Sequence, residues 1–270
     1  MKAIYSLWTF PGNRGSLGGL RHRFGSPKAQ LRMMALSMGY SLRWFGHVEL
    51  LADEWSASVI DGLVPGVRIV PSFKELDDLP AGLWSLGKLS AELAQDGPYI
   101  HIDNDALFVT DPTPLLRDWE VGFQSLDFAP HAAYSDAEND LLARGMPVPG
   151  RFRVRPGDRI YNCGIVVDRA GVLREPTAAI VDFARRHADR FERAKPFTTF
   201  LMEQGWQSAA VRGRRVQVLL RNPWDQDEAR AAGFVHLLDA WKRDPGYEAK
   251  VAARLERDFP AINNRIRQAA

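Results

Sequence analysis

YIHIDNDALF, residues 99–108, is the stretch on which the reading of this chain turns. Tyr99 to Ile102 has strand character and runs without a break into Asp103-Asn104-Asp105. Two carboxylates two positions apart can lie on one side of an extended chain. At the end of a strand both can reach one hard cation, which takes oxygen ligands. The competing reading is a pair of turn aspartates that help the chain leave a sheet. A helix-like segment, Leu83 to Ala94, precedes the strand and is closed by Gly97-Pro98, so the acidic pair follows a helix-then-strand unit.

The same alternation extends toward the N-terminus. Lys2 to Thr9 reads as a buried first strand, followed by a Gly-rich loop at 11–19. Ser26 is placed to cap a helix with Pro27 at its first position, and that helix is predicted to run to Tyr40. His47 to Leu51 is a second strand ending near Asp53, Trp55 to Leu63 a short helix, and Val67 to Val70 a third strand. Alternating strands and helices predict an α/β fold with a Rossmann-like, mostly parallel sheet covered on both faces. In such sheets ligands bind beyond the carboxyl ends of the strands, which is where Asp103 and Asp105 fall.

The second half is less regular. Strands are predicted within Trp119 to Phe128, Ile160 to Asp168 and Val216 to Leu220, with a short apolar run, Phe234 to Leu238, carrying His236. Helices are predicted over Thr177 to Arg193, Phe197 to Ala210 and Tyr247 to Phe259. The polar stretch from His131 to Arg155, with Pro147 and Pro149, reads as a mobile loop. No repeat or linker divides the sequence, so one domain over 1–270 is expected.

Composition bounds the partners. A formal charge of +2 over 270 residues gives no electrostatic footprint for nucleic acid. No stretch approaches the ~20 apolar residues that span a bilayer. Cys163 is the single cysteine, so no intrachain disulfide can form, which fits a cytoplasmic location.

Several later segments join the acidic strand in an order that resembles the GT-A glycosyltransferases, and within them glycosyltransferase family eight or a remote bacterial relative. YNCGIVVDRAG (161–171) is similar to that family's Asn-x-Gly segment ahead of an apolar strand. MEQGW (202–206) resembles its acidic-Gln segment, and VHLLDAWKRD (235–244) its late His followed by a Lys. The resemblance implies a GT-A fold and a metal-dependent transfer of a sugar from a nucleoside-diphosphate sugar, with a UDP-sugar as the first expectation. The acceptor would be a hydroxyl on a carbohydrate, lipid or protein, and the anomeric configuration would be retained.

The resemblance also assigns residues. Asp103, Asp105 and His236 would bind the cation; an imidazole beside carboxylates suits Mn2+ better than Mg2+. His236, between Val235 and Leu237, is equally well read as a core histidine. Glu203 and Gln204 would lie near the reacting carbon, and Lys242 would meet the leaving diphosphate unless it is a plain surface lysine. Ser6, Trp8, Thr9, Asp53, Lys88 and Asn104 would contact the nucleotide, and Asn162 and Gly164 the donor sugar. Trp8 reads equally as a core tryptophan, and Lys88 as a helix lysine reaching past apolar neighbours to water.

Two other functions stay open. The late segment lacks the family's Gly and Pro-Trp around its Lys, and Glu203 stands where Asp is commoner. A GT-A-like scaffold that binds a nucleotide sugar or a partner without catalysis fits those departures. An Asp-x-Asp after an apolar strand also opens the phosphatases of haloacid-dehalogenase type, although there the motif normally follows the first strand.

Overall fold

The computed structural model describes residues 1–15 and 24–269; beyond residue 15, the expected Gly-rich loop lies outside them. The strands are β1 (Lys2–Leu7), β2 (Val48–Ala52), β3 (Val67–Pro71), β4 (Tyr99–Ile102), β5 (Ala106–Phe108), β6 (Val121–Leu126), β7 (Tyr161–Asp168), β8 (Gln217–Leu220) and β9 (Phe234–His236). Seven of them form one sheet in the order β3-β2-β1-β4-β7-β6-β8, and β5 pairs with β9 in a second, two-stranded sheet. β1 and β2 pair parallel, as do β2 and β3 and β6 and β8, while β6 and β7 are antiparallel. This is the mixed, mostly parallel, helix-flanked α/β sheet expected of a GT-A fold.

The chain divides into two compact units, each assembled from separate stretches of sequence. The first comprises Met1–Lys74, His101–Arg117 and Ala229–Ala270. Its strand β2 is buried at every position, and β1 at all but Lys2 and Ser6. Strands that read as continuous apolar runs are covered on both faces rather than one. The helix Pro27–Phe45 packs on these strands. Ser26 caps it as expected, its hydroxyl accepting the Ala29 N–H at 3.0 Å. The buried Tyr5 hydroxyl lies 2.7 Å from both Ser37 Oγ and Ser41 Oγ, tying β1 to the helix. The C-terminal helices Pro245–Asp258 and Pro260–Ala269 also pack on Pro27–Phe45. The sequence predicts one helix there and two form, because Pro260 cannot continue the first but suits the opening of the second.

The second unit comprises Glu75–Ile100 and Asp118–Glu228. Its core gathers Val121, Phe123, Tyr161, Cys163, Val166, Leu173 and Val211, with the Phe123 and Tyr161 rings stacked at 5.0 Å. The helices Leu86–Leu93 and Arg174–Arg186 pack against each other.

The stretch expected to be a mobile loop at 131–155 is corrected here, because it begins with a helix, His131–Ala143. Tyr134, Ala137, Glu138 and Leu141 are its buried residues, and their spacing is helical. The pattern is obscured because the buried stripe includes a glutamate. Glu138 is made tolerable by the Val154 N–H at 3.0 Å and the Arg153 guanidinium at 3.6 Å.

Candidate metal centre

In the first unit, β4 delivers Asp103 to a tight turn rather than to continued extension. The Asp103 carbonyl accepts the Ala106 N–H at 3.0 Å, after which β5 begins. The two readings of the acidic pair therefore coexist: the aspartates do form the turn, and the turn brings their carboxylates together. The helix Pro27–Phe45 holds β5 in place, through Ser37 Oγ on the Ala106 carbonyl at 2.5 Å and Trp44 Nε1 on the Phe108 carbonyl at 3.0 Å.

His236 arrives across the two-stranded sheet. Antiparallel pairing sets Ala106 opposite His236, and the Leu237 N–H donates to the Asp105 carbonyl at 2.9 Å. β9 reaches this register through Gly233, whose φ of 60° is in the left-handed region; a Cβ there would lie 1.8 Å from Thr110 Oγ1. One ligand atom each from Asp103, Asp105 and His236 lies within 4.8 Å of the others. Two carboxylates and an imidazole form a donor set that suits Mn2+, with its tolerance for nitrogen, as well as other first-row divalent ions. The side chains present thus fit the cation that the sequence resemblance implies.

Asp105 is 7% exposed and is not the surface ligand that a strand-end position suggests. His236 Nε2 lies 3.2 Å from Asp105 Oδ1, and Lys242 forms an ion pair with Oδ2. Burial alone would push the Asp105 carboxyl up, but the Lys242 ammonium and the His236 ring outweigh it and hold the group well below the usual carboxylate range. It is an anion at any pH near neutrality. Lys242, proposed from sequence as a diphosphate contact, is therefore brought directly to the metal-ligand cluster, from the short turn of helix Asp239–Arg243.

His101, which the sequence resemblance does not assign to the site, adjoins the cluster. Nε2 is 3.1 Å from Ser6 Oγ and Nδ1 is 3.9 Å from Asp103 Oδ1. It shares strand parity with Asp103, and that parity is the available signal. Asn104 donates from Nδ2 to the Ser6 carbonyl at 2.7 Å, tying the turn to the end of β1. Trp8 is buried at 6% exposure, as a core tryptophan would be. Thr9 and Asp53 hold each other: Asp53 Oδ2 accepts the Thr9 N–H at 2.7 Å and the Ser56 hydroxyl at 2.7 Å, and Oδ1 accepts the Ser56 N–H at 3.0 Å. Arg14 Nε lies a further 3.2 Å from Oδ1. Asp53 is thus the N-cap of helix Glu54–Ile60 and clamps the exit of β1 to it.

In the second unit, five predicted residues, Lys88, Asn162, Gly164, Glu203 and Gln204, fall around an irregularity in β7. The β6–β7 register jumps between Phe123↔Val166 and Ser125↔Asn162, leaving Cys163 to Ile165 out of step. Such bulges re-aim groups next to sites. Asn162 Oδ1 accepts the Gly164 N–H at 2.9 Å, and the Cys163 carbonyl accepts from Lys88 Nζ. Lys88 also pairs with Glu203 at 2.9 Å, the two side chains being only 6% and 4% exposed. Lys88 is not a lysine reaching for water. Glu203 and Gln204 lie in a single π-helical turn, Leu201–Gly205, an irregularity often found at functional positions. Sequence reasoning misses Tyr134, whose hydroxyl lies 2.7 Å from Gln204 Oε1, and Asp127, which meets the same hydroxyl; Tyr134 lies in the segment that reads as a loop.

Fold and site together define a mixed α/β protein with a strand-end cluster able to hold a divalent cation. The chain belongs to the family described as "Family of unknown function (DUF6734)", whose model matches residues 1–269. No curated protein sequence matches it. Among solved structures it is similar to mouse xyloside xylosyltransferase 1 in its apo form, at 11% identity over 86% of this chain and 93% of that one, with a TM-score of 0.42. It is also similar to galactosyltransferase LgtC in complex with donor and acceptor sugar analogues, at 12% identity over 76% and 72%, with a TM-score of 0.40. A third is the inositol-1-phosphate CTP transferase from T. maritima, at 11% identity over 95% and 97%, with a TM-score of 0.42. At these scores the likenesses carry no argument. No helix among the described residues is long and apolar enough to cross a membrane.

Proposed function

We propose that this protein is a metal-dependent glycosyltransferase that moves a sugar from a nucleoside-diphosphate sugar, with UDP as the first nucleotide to test, to an acceptor hydroxyl. The observation that carries the reading is the convergence of Asp103, Asp105 and His236, one ligand atom each, within 4.8 Å at the end of β4. These three would hold Mn2+ or Mg2+, and such a cation supplies charge neutralisation to a departing diphosphate. Asp105 is kept ionised for that purpose by its neighbours. Lys242 adds a second positive charge at the same place, suited to a phosphate oxygen. His101, behind Asp103, limits the directions that carboxylate can take.

Ser6, Trp8, Thr9 and Asn104 belong to the same proposal as the nucleotide side of the site, with Asp53 acting through its hold on Thr9. By the sequence resemblance Lys88 would also meet the nucleotide, Asn162 and Gly164 the donor sugar, and Glu203 and Gln204 would lie near the reacting carbon. Their support is the sequence resemblance, together with the irregular β7 that carries Asn162 and Gly164 and the π-helical turn that carries Glu203 and Gln204. Retention at the anomeric carbon follows from the resemblance and is read from the anomer first formed with a simple acceptor.

The test is donor consumption with a panel of nucleoside-diphosphate sugars, before and after EDTA and with Mn2+ restored. Activity should vanish with chelation and return with metal. Turnover indifferent to EDTA removes the role of the cluster. Tight Mn2+-dependent UDP binding with no turnover across the panel would instead identify a binding protein on the same scaffold.

A further inference from the structure

Tyr134 is fully buried on helix His131–Ala143, and its ring packs edge-on against Phe197 at 4.9 Å. Its hydroxyl is hydrogen-bonded to Asp127 Oδ2 and lies 2.7 Å from Gln204 Oε1. A phenol has one proton to give, and both of these atoms are acceptors. The proton goes to the carboxylate, because a charged acceptor makes the stronger bond. The phenolic oxygen is then itself an acceptor, and an amide oxygen facing it would leave two lone pairs opposed inside the core. Turning the Gln204 amide end for end removes the conflict: its NH2 donates to Tyr134, and its carbonyl oxygen takes the opposite side. Amide oxygen and nitrogen are nearly the same size, so the turn disturbs no packing.

The backbone supports this arrangement. Gln204 is 7% exposed and sits in the π-helical turn, so its side chain has little freedom. The next residue, Gly205, allows the tyrosine ring in close: a Cβ there would lie 3.1 Å from Tyr134 Cδ1.

We propose that Tyr134, anchored by Asp127, is a positioning residue that sets the polarity of the Gln204 amide, turning its NH2 inward to the tyrosine and presenting its carbonyl oxygen on the other side. The consequence for catalysis rests on the glycosyltransferase reading. On that reading, Gln204 offers the donor sugar an electron-rich oxygen, suited to a sugar hydroxyl or to the positive charge that develops at the anomeric carbon, and not a pair of N–H donors.

The test separates the geometry from the activity. In protein labelled with 15N-glutamine, the Gln204 side-chain NH2 is assigned by its loss in Gln204→Met. In the wild type its hydrogen exchange should be slow. Tyr134→Phe keeps the ring and removes the acceptor, so exchange should speed up about tenfold, the worth of one ordinary hydrogen bond. Asp127→Ala approaches from the other side: it frees the phenol proton for the amide oxygen, reverses the amide and should also speed exchange. It serves if Tyr134→Phe does not fold. Unchanged Gln204 exchange in the folded variants overturns the proposal whatever the activity. Where the wild type turns over donor, Tyr134→Phe should lower kcat about tenfold with donor KM within about twofold. It should cause no further loss in a Gln204→Met background. Additive losses would show a merely structural tyrosine. If exchange responds and no donor is turned over, the glycosyltransferase reading fails and the amide arrangement stands.

Discussion

Asp105→Asn is the substitution whose consequences can be worked most fully from the geometry. It keeps the shape of the side chain and removes its charge. The carboxylate is buried, with His236 Nε2 3.2 Å from one oxygen and the Lys242 ammonium on the other. Removing one member of a buried ion pair costs about 3–5 kcal/mol when the partner is stranded. Lys242 is 18% exposed and can turn its ammonium to water, so the expected loss without metal is smaller, about 2 kcal/mol. At about 2–4 °C per kcal/mol for a chain of this size, the melting temperature should fall by about 4–8 °C. Metal gives the second readout. A ligand at a hundredfold excess over its Kd stabilises the folded state by about 2.7 kcal/mol, so Mn2+ should raise the wild-type melting temperature by about 5–10 °C. In Asp105→Asn most of that rise should be gone. Differential scanning fluorimetry with an EDTA arm and a Mn2+ series measures both. A variant as stable as the wild type would mean that the Asp105–Lys242 pair is not made in solution. A variant with the full Mn2+ response would remove Asp105 from the ligand set and with it the basis of the proposed function.

Three other outcomes are expected. Gly233→Ala places a Cβ 1.8 Å from Thr110 Oγ1 at a φ of 60°, so stability should fall by about 2–3 kcal/mol and the Mn2+ shift should weaken as β9 loses its register; an unchanged thermal scan would deny β9 that role. Asp53→Ala loses a helix cap, about 1 kcal/mol, and strands the buried Thr9 N–H, about 1 kcal/mol or more, while the Ser56 hydroxyl keeps Thr9 Oγ1 at 2.8 Å. A total of about 2 kcal/mol should appear in urea as a lower midpoint at unchanged slope, and a midpoint that stays put contradicts the clamp. Asp158 is held below the usual carboxylate range first by the hydrogen bond from Arg212, against burial. A depressed folded-state pKa means its stabilisation is present above the unfolded value of about 3.9 and is lost as pH falls through the folded one. Asp158→Asn should therefore cost under about 1 kcal/mol at neutral pH, since the pair is partly open to water, and nothing measurable near pH 2; a pH-independent cost refutes the linkage.

The central features are legible where local chemistry and tertiary packing agree. Ser26-Pro27 marks a helix start by cap and fixed φ, and the helix is there. Tyr99 to Ile102 is strand by its aromatic and β-branched residues, and the strand has those limits. The acidic pair is legible as a site, but not for the reason its spacing suggests. A turn, not an extended chain, gathers the carboxylates, and backbone turns of this kind leave only weak traces in composition. The helix His131–Ala143 is illegible because its buried stripe carries Glu138, which becomes apolar-equivalent only through partners far along the chain. The same holds for Lys88. Nothing in LWSLGKL announces that its lysine is 75 residues from the carbonyl it binds and 115 from the glutamate it pairs with. Long-range satisfaction of a buried charge is a property of the fold, so sequence reading assigns such residues to the surface by default.

That buried pair is costly on physical grounds. Taking an ammonium and a carboxylate out of water costs more than their attraction reliably returns, and apolar side chains of the same volume would hold a core at least as well. Two further departures from regular structure meet the same residues. The β7 ladder slips at Cys163, whose carbonyl Lys88 takes up, and the helix carrying Glu203 widens to a π-helical turn at that residue. Each costs backbone hydrogen bonds or strain. Departures from local rules are expected at functional or strained sites. Three departures thus gather around one ion pair, and the proposed donor site is the reading under which Lys88 and Glu203 would have a use there.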